Sequence, residues 1–191
     1  MASSNFPFGL RAAVHPSGII RQDYQVNGVL SGYGTAIYTG TPVKRDTNGT
    51  LIPCATGADT AIGVFQGVEY TDATGRFVVS PFWPASATYR SDGQMQAYFT
   101  SDPNILYDAQ ANGPVAATKI GEAINLADAS QGSVYTGLSS QALNATTTGA
   151  TPGLATVVSI PPGPYFGGEW NAPGDAYTIV RVRLTQQPPI A

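Results

Sequence analysis

The sequence predicts a mainly β protein: an antiparallel β-barrel or sandwich core with an extended N-terminal arm and long Gly/Pro loops. Three observations predict it. Short apolar runs alternate with polar residues at period two, and no stretch carries the 3.6-residue period of a long helix. The third is punctuation, with 22 glycines and 15 prolines spread over 191 residues. Nothing repeats at a period of roughly 20–50 residues, so solenoids and propellers are excluded.

Composition narrows the class further. Only 11% of residues are charged, against roughly 25% in an ordinary soluble domain. Such a surface can be covered by another protein with little charge desolvation. The net charge is −3, and Lys44-Arg45 is the sole basic doublet, which predicts no nucleic-acid partner. One cysteine, Cys54, leaves no intrachain disulfide and no cysteine zinc site. No apolar run approaches the ~18 residues of a membrane span. The first residues also lack a basic-then-apolar signal, so the expectation is a protein made in the cytoplasm without export, with no membrane partner.

Residues 1–35 read as an extended N-terminal arm and residues 36–191 as the β-rich core domain. Asn5-Phe6-Pro7-Phe8-Gly9-Leu10-Arg11 sets three large apolar groups around a Pro and a Gly with no regular period. Such a segment cannot bury itself, so Phe6, Pro7, Phe8, Leu10 and Arg11 are expected to contact a neighbouring subunit. Removing residues 1–16 is then expected to leave the core folded.

Strand signals begin at Thr35. Asp46-Thr47-Asn48-Gly49 predicts a hairpin between Val43-Lys44 and Leu51-Ile52, with Asn-Gly at positive φ. Ala61–Tyr70 predicts a central strand with Ile62, Val64, Val68 and Tyr70 on one face. Gly63, Phe65, Gly67 and Glu69 share the other, where two glycines admit a neighbouring backbone. Asp72–Gly75 turns the chain into Arg76–Ser80. Met95, Ala97 and Phe99 alternate with polar residues, Ser101-Asp102-Pro103-Asn104 turns, and Ile105-Leu106-Tyr107 comes next, which predicts a short hairpin. Lys119–Ala127 fits either a strand or a turn or two of helix. Residues 139–175 read as surface loops with one strand at Thr156–Ile160. In the last strand, Val180, Val182 and Leu184 point one way and Ile179, Arg181 and Arg183 the other.

Reactive constellations are sparse. The lone histidine, His15, precedes Pro16 and reads as a satisfied surface imidazole, because nucleophilic catalysis needs a base beside its nucleophile. No catalytic set, metal site or cofactor is expected. Glycoside cleavage would need a pair of carboxylates, such as Asp102 with Asp108 or Glu69 with Asp72, but Asp102 is accounted for by its turn. Trp83 between prolines reads as a core plug. Trp170 and Phe166, in a Gly/Pro loop, read as an intersubunit contact. Trp83 and Trp170 are also the groups that would stack on sugars in a carbohydrate-binding or fibre-base module.

Several segments resemble a family of tailed-bacteriophage capsid cement, or decoration, proteins. Asn5–Arg11 is similar to that family's Pro-Phe-Gly-Leu/Phe-Arg opening. Ile62-Gly-Val-Phe-Gln-Gly-Val-Glu-Tyr70 resembles its central Gly-Val strand. Gly75-Arg-Phe-Val-Val-Ser80 with Trp83-Pro-Ala85 resembles its Gly-Arg…Ser…Trp-Pro-Ala stretch. Asp102-Pro103 resembles its Asp-Asp-Pro turn, with Ser101 in place of the first Asp, and Val180–Leu184 its closing strand. The resemblance implies a non-enzymatic virion protein on the capsid exterior, a homotrimer at local threefold positions whose partner is the major capsid protein.

Overall fold

The computed structural model describes residues 4–55, 59–92, 94–149, 153–162 and 171–185. Six strands fill the first part of the chain: β1 (Arg11–Val14), β2 (Asp23–Val26), β3 (Pro42–Arg45), β4 (Leu51–Pro53), β5 (Gly63–Thr71) and β6 (Phe77–Ser80). Six more complete it: β7 (Met95–Thr100), β8 (Leu106–Gln110), β9 (Ala123–Leu126), β10 (Leu143–Asn144), β11 (Ala155–Ser159) and β12 (Ile179–Leu184). They make two antiparallel sheets. The first has the order β1-β8-β12-β11-β9-β10; the second runs β2-β7-β5-β3-β4, with β6 also on β5. The protein is mainly β, as expected. Both sheets are open among the described residues, which is consistent with a sandwich.

Each sheet buries its own apolar cluster. Tyr107, Ile124, Val157, Val180 and Val182 pack under the first, and Phe65, Val68, Tyr70, Trp83, Met95 and Phe99 under the second. β5 feeds both, because Val64 belongs to the first cluster and Phe65 to the second. The pairing of β5 with β7 slips between Phe65 and Gly67. A bulge of this kind inserts one residue and reverses the facing of the remainder of the strand. Phe65 therefore shares a core with Val68 and Tyr70, and the expected division of faces is corrected. The room left by Gly63 is used: a Cβ there would collide with the Thr100 carbonyl on β7.

The two local hairpins form. In β3–β4 the Asp46 amide donates to the Thr50 carbonyl at 2.9 Å and the Gly49 amide to the Asp46 carbonyl at 3.1 Å. Gly49 has φ +79° while Asn48 stays at negative φ, so the turn holds one left-handed residue, not the expected pair. β5–β6 repeats the pattern, with Asp72 N to Arg76 O at 2.9 Å, Gly75 N to Asp72 O at 2.9 Å and Gly75 at φ +90°.

The Ser101–Asn104 turn does not close a hairpin. β7 pairs with β2 and β5, whereas β8 pairs with β1 and β12. The turn is a corner that carries the chain from one sheet to the other. A buried hydrogen bond of 2.9 Å between the Thr100 and Tyr107 hydroxyls ties its two flanks.

The N-terminal region also departs from expectation. β1 pairs with β8, β2 pairs with β7, and Val29 is wholly buried in the second core. Residues 10–29 are thus woven into the domain, and no free arm spans residues 1–35. The register on β1 shifts between Ala12 and Val14, which hides the alternation that would have marked a strand. Residues 139–143 are likewise not surface loop, since Ser139, Gln141, Ala142 and Leu143 are buried. Gly9 lets this backbone lie close, because a Cβ there would collide with Ser139 and the Gly40 carbonyl, and its amide donates to the Gln141 carbonyl at 3.1 Å. The ambiguous stretch resolves into a 3-10 turn at Ala117–Lys119 with β9 after it.

Candidate interaction surface

Register fixes which side chains share the outer face of the first sheet. Arg11 on β1 and Arg181 on β12 both stand opposite Asp108 on β8. Gln110 is two residues further along β8 and opposite Ile179, so it points the same way. Arg183, two residues beyond Arg181, joins this face opposite Thr156. The alternate set, with Tyr107, Ala109, Val180 and Val182, faces the core.

Arg181 grips Asp108 through two parallel bonds, Nε to Oδ1 at 2.7 Å and Nη2 to Oδ2 at 2.9 Å. A planar guanidinium on a carboxylate is the geometry that makes such pairs specific. Arg11 and Arg183 are exposed, and neither makes an ion pair among the described residues. The carboxylates around this face are engaged: Asp102 with His15, Glu122 with Lys119, and Asp175 with the Ala172 amide.

Gln110 does something alternation does not foresee. Its Oε1 accepts from the Phe6 amide at 2.7 Å, and its Nε2 donates to the Ser4 carbonyl at 2.9 Å. The side-chain amide thereby binds the backbone of residues 4–6 much as a strand neighbour would. Gln110 is covered, 4% exposed, while the Phe6 ring stays 80% exposed. An outward glutamine on a strand reads as solvated. Only its partners about a hundred residues upstream in sequence reveal its task.

The residues expected to contact a neighbour therefore divide. Phe6 and Arg11 are exposed, Pro7 and Phe8 are half-buried, and Leu10 is 1% exposed within the protein's own core. The assignment of Leu10 to a partner contact is overturned. Phe8 and Leu10 help line a groove of about 540 Å³, with Arg11, Ile20, Gln66 and Leu138. Phe166 and Trp170 lie outside the described residues.

His15 is more engaged than a surface imidazole. Its Nε2 is 3.2 Å from Asp102 Oδ2, and its Nδ1 is 2.6 Å from the Ser17 hydroxyl. The Ser17 amide also donates to Nδ1 at 3.1 Å, which places the ring proton on Nε2, facing Asp102. Bonds from the Asn104 amide and side chain, with His15 nearby, hold the Asp102 carboxyl below the usual range. Although the residue types are those of a hydrolytic triad, Ser17 sits two residues from His15 in a tight turn. None of the three lines the groove. The set fastens the end of β1 to the corner between the sheets.

Trp83 is fully buried, with its ring near Tyr70 at 5.2 Å and Tyr89 at 6.2 Å. It is a core plug, as expected, and cannot stack on a sugar. Burial pushes the Cys54 thiol up to about 12, which keeps it protonated and unreactive. Among the described residues, no three His, Cys, Asp or Glu side chains converge as a metal site requires. No helix among them is long and apolar enough to cross a membrane.

The chain matches no protein family, no curated protein and no solved structure. Its likeness to phage cement proteins rests on the short segments alone.

Proposed function

We propose that this protein is a structural component of a phage virion that binds the outside of the assembled head and stabilises the lattice of the major capsid protein. The observation that carries this reading is the distribution of large apolar groups. On a domain with few charges, Phe6, Phe77 and Val79 stand 80%, 63% and 70% exposed. Two of these, Phe77 and Val79, lie on β6, a short strand paired only with β5 among the described residues. Exposed apolar side chains along an open sheet edge mark a surface that another chain covers.

A protein that binds only the assembled lattice adds its binding free energy to the stability of the shell. A homotrimer at threefold positions would multiply weak contacts through effective concentration. The test is to mix purified protein with undecorated phage heads. The expected result is saturable cosedimentation as a trimer and heads that withstand higher temperature. Heads that neither bind the protein nor gain stability overturn the reading. The carbohydrate-binding alternative loses Trp83, which is sealed in the core.

A further inference from the structure

We propose that the outer face of the first sheet is a docking surface built on the clamped Phe6 and the exposed Arg11 and Arg183, and that it takes an apolar pocket rimmed by acidic residues on a partner protein. The proposal deepens the cement reading and rests on it only for which protein supplies the pocket.

Three independent observations converge on this face. First, Phe6 is exposed but not loose, because Gln110 holds the backbone on both sides of it, at the Phe6 amide and the Ser4 carbonyl. Fixing the backbone that carries an exposed ring removes part of the ordering cost that a partner would otherwise meet. Rigid aromatic anchors are the side chains that dominate binding at interface centres. Second, charge is distributed against the average. The chain is net −3, yet three arginines on this face oppose one carboxylate, Asp108, already held by Arg181. That leaves Arg11 and Arg183 with charge to offer. Third, both are arginines, the residue suited to forked hydrogen bonding with carboxylates. A basic partner would repel them and a neutral one would leave their charge uncompensated; an acidic rim supplies the counter-charge for both.

Two probes separate this proposal from the cement reading. The first is a pair of peptides, Asp-Glu-Leu-Leu-Phe-Asp-Glu and its charge-reversed counterpart Lys-Arg-Leu-Leu-Phe-Lys-Arg, titrated against the intact protein. The second is undecorated heads. Variants are Phe6→Ala, Arg11→Glu with Arg183→Glu, Gln110→Ala, and Tyr135→Ala as an exposed aromatic elsewhere.

The acidic peptide is expected to bind, more weakly as salt rises, and the basic peptide not to bind. Phe6→Ala is expected to weaken binding about 30-fold or more. The double charge reversal is expected to abolish binding of the acidic peptide and to favour the basic one. Gln110→Ala is expected to speed hydrogen exchange at the Phe6 amide and to weaken binding less than Phe6→Ala does, a loss of affinity that a merely structural glutamine would not cause. Tyr135→Ala is expected to leave binding unchanged.

Peptide binding through this face without head binding supports the docking surface and defeats the cement reading. Heads that bind the Phe6 and arginine variants as well as the unaltered protein overturn the docking surface while the cement reading stands. Equal binding of the two peptides, or binding of neither, overturns it as well.

Discussion

Within the run from Phe6 to Arg11, neighbouring residues have opposite fates. Leu10 lies in the core of the first sheet and Phe6 in solvent, although both are large, apolar and four positions apart. Leu10→Ala is therefore expected to destabilise the protein by about 2–5 kcal/mol, the cost of an internal cavity. Phe6→Ala is expected to stay within about 0.5 kcal/mol of the parent. Urea denaturation of the two variants checks this; equal losses would mean that the two side chains share one environment. The sequence shows that the segment is apolar but not which residues are inside. That depends on Gln110 and Gly40, which contact the segment's backbone from distant parts of the chain.

Strands and turns were legible where their determinants are local. Asp46 and Asp72 each open a hairpin loop and accept backbone bonds two and four residues on, from Asn48 and Thr50 and from Thr74 and Arg76. Both carboxyls are held below their ordinary range. At Asp46, desolvation is the largest single influence and opposes the shift, but the bonds from Thr50 and Asn48 together outweigh it; at Asp72 the Thr74 hydroxyl contributes most. A lowered folded pKa gives stabilisation that is complete above the unfolded value, about 4 for Asp, and lost as pH falls through the folded value. Replacing both with Asn keeps an acceptor in each turn and removes the titration. The Asp46→Asn, Asp72→Asn variant is expected to lose less stability between about pH 5 and pH 2 than the parent, measured by denaturant titration at each pH. Equal slopes would show that other carboxylates govern acid sensitivity.

Elements whose partners are remote were misread for a physical reason. Asp102-Pro103 has the chemistry of a tight turn whether the next strand returns to the same sheet or leaves it. The bulge at Gln66 likewise left the alternation of β5 looking regular while its second half faces the other way.

At the scale of the molecule, the two sheets keep separate cores and are joined by few elements. β5 contributes Val64 to one and Phe65 to the other, the 101–104 corner links β7 to β8, and the N-terminal residues place one strand on an edge of each. Removal of residues 1–16 strips β1 from β8 and takes Leu10 out of the first core. The truncated protein is thus expected to be less stable by at least the ~2–5 kcal/mol of Leu10, contrary to the expectation from sequence that it folds unaffected. Thermal unfolding monitored by circular dichroism checks this; an unchanged midpoint would show that the N-terminal strand is dispensable.

The placement of β1 and β2 also has a consequence for synthesis. Arg11 meets Asp108 and Asp23 meets Phe99, so the two early strands wait for mates encoded about 75 to 100 residues downstream. At translation rates of about 5–20 residues per second, that wait is roughly 4–20 s. Through this interval Leu10, whose place is in the first core, stays uncovered beside Phe8, a stretch for chaperones to shield until β7 and β8 leave the ribosome.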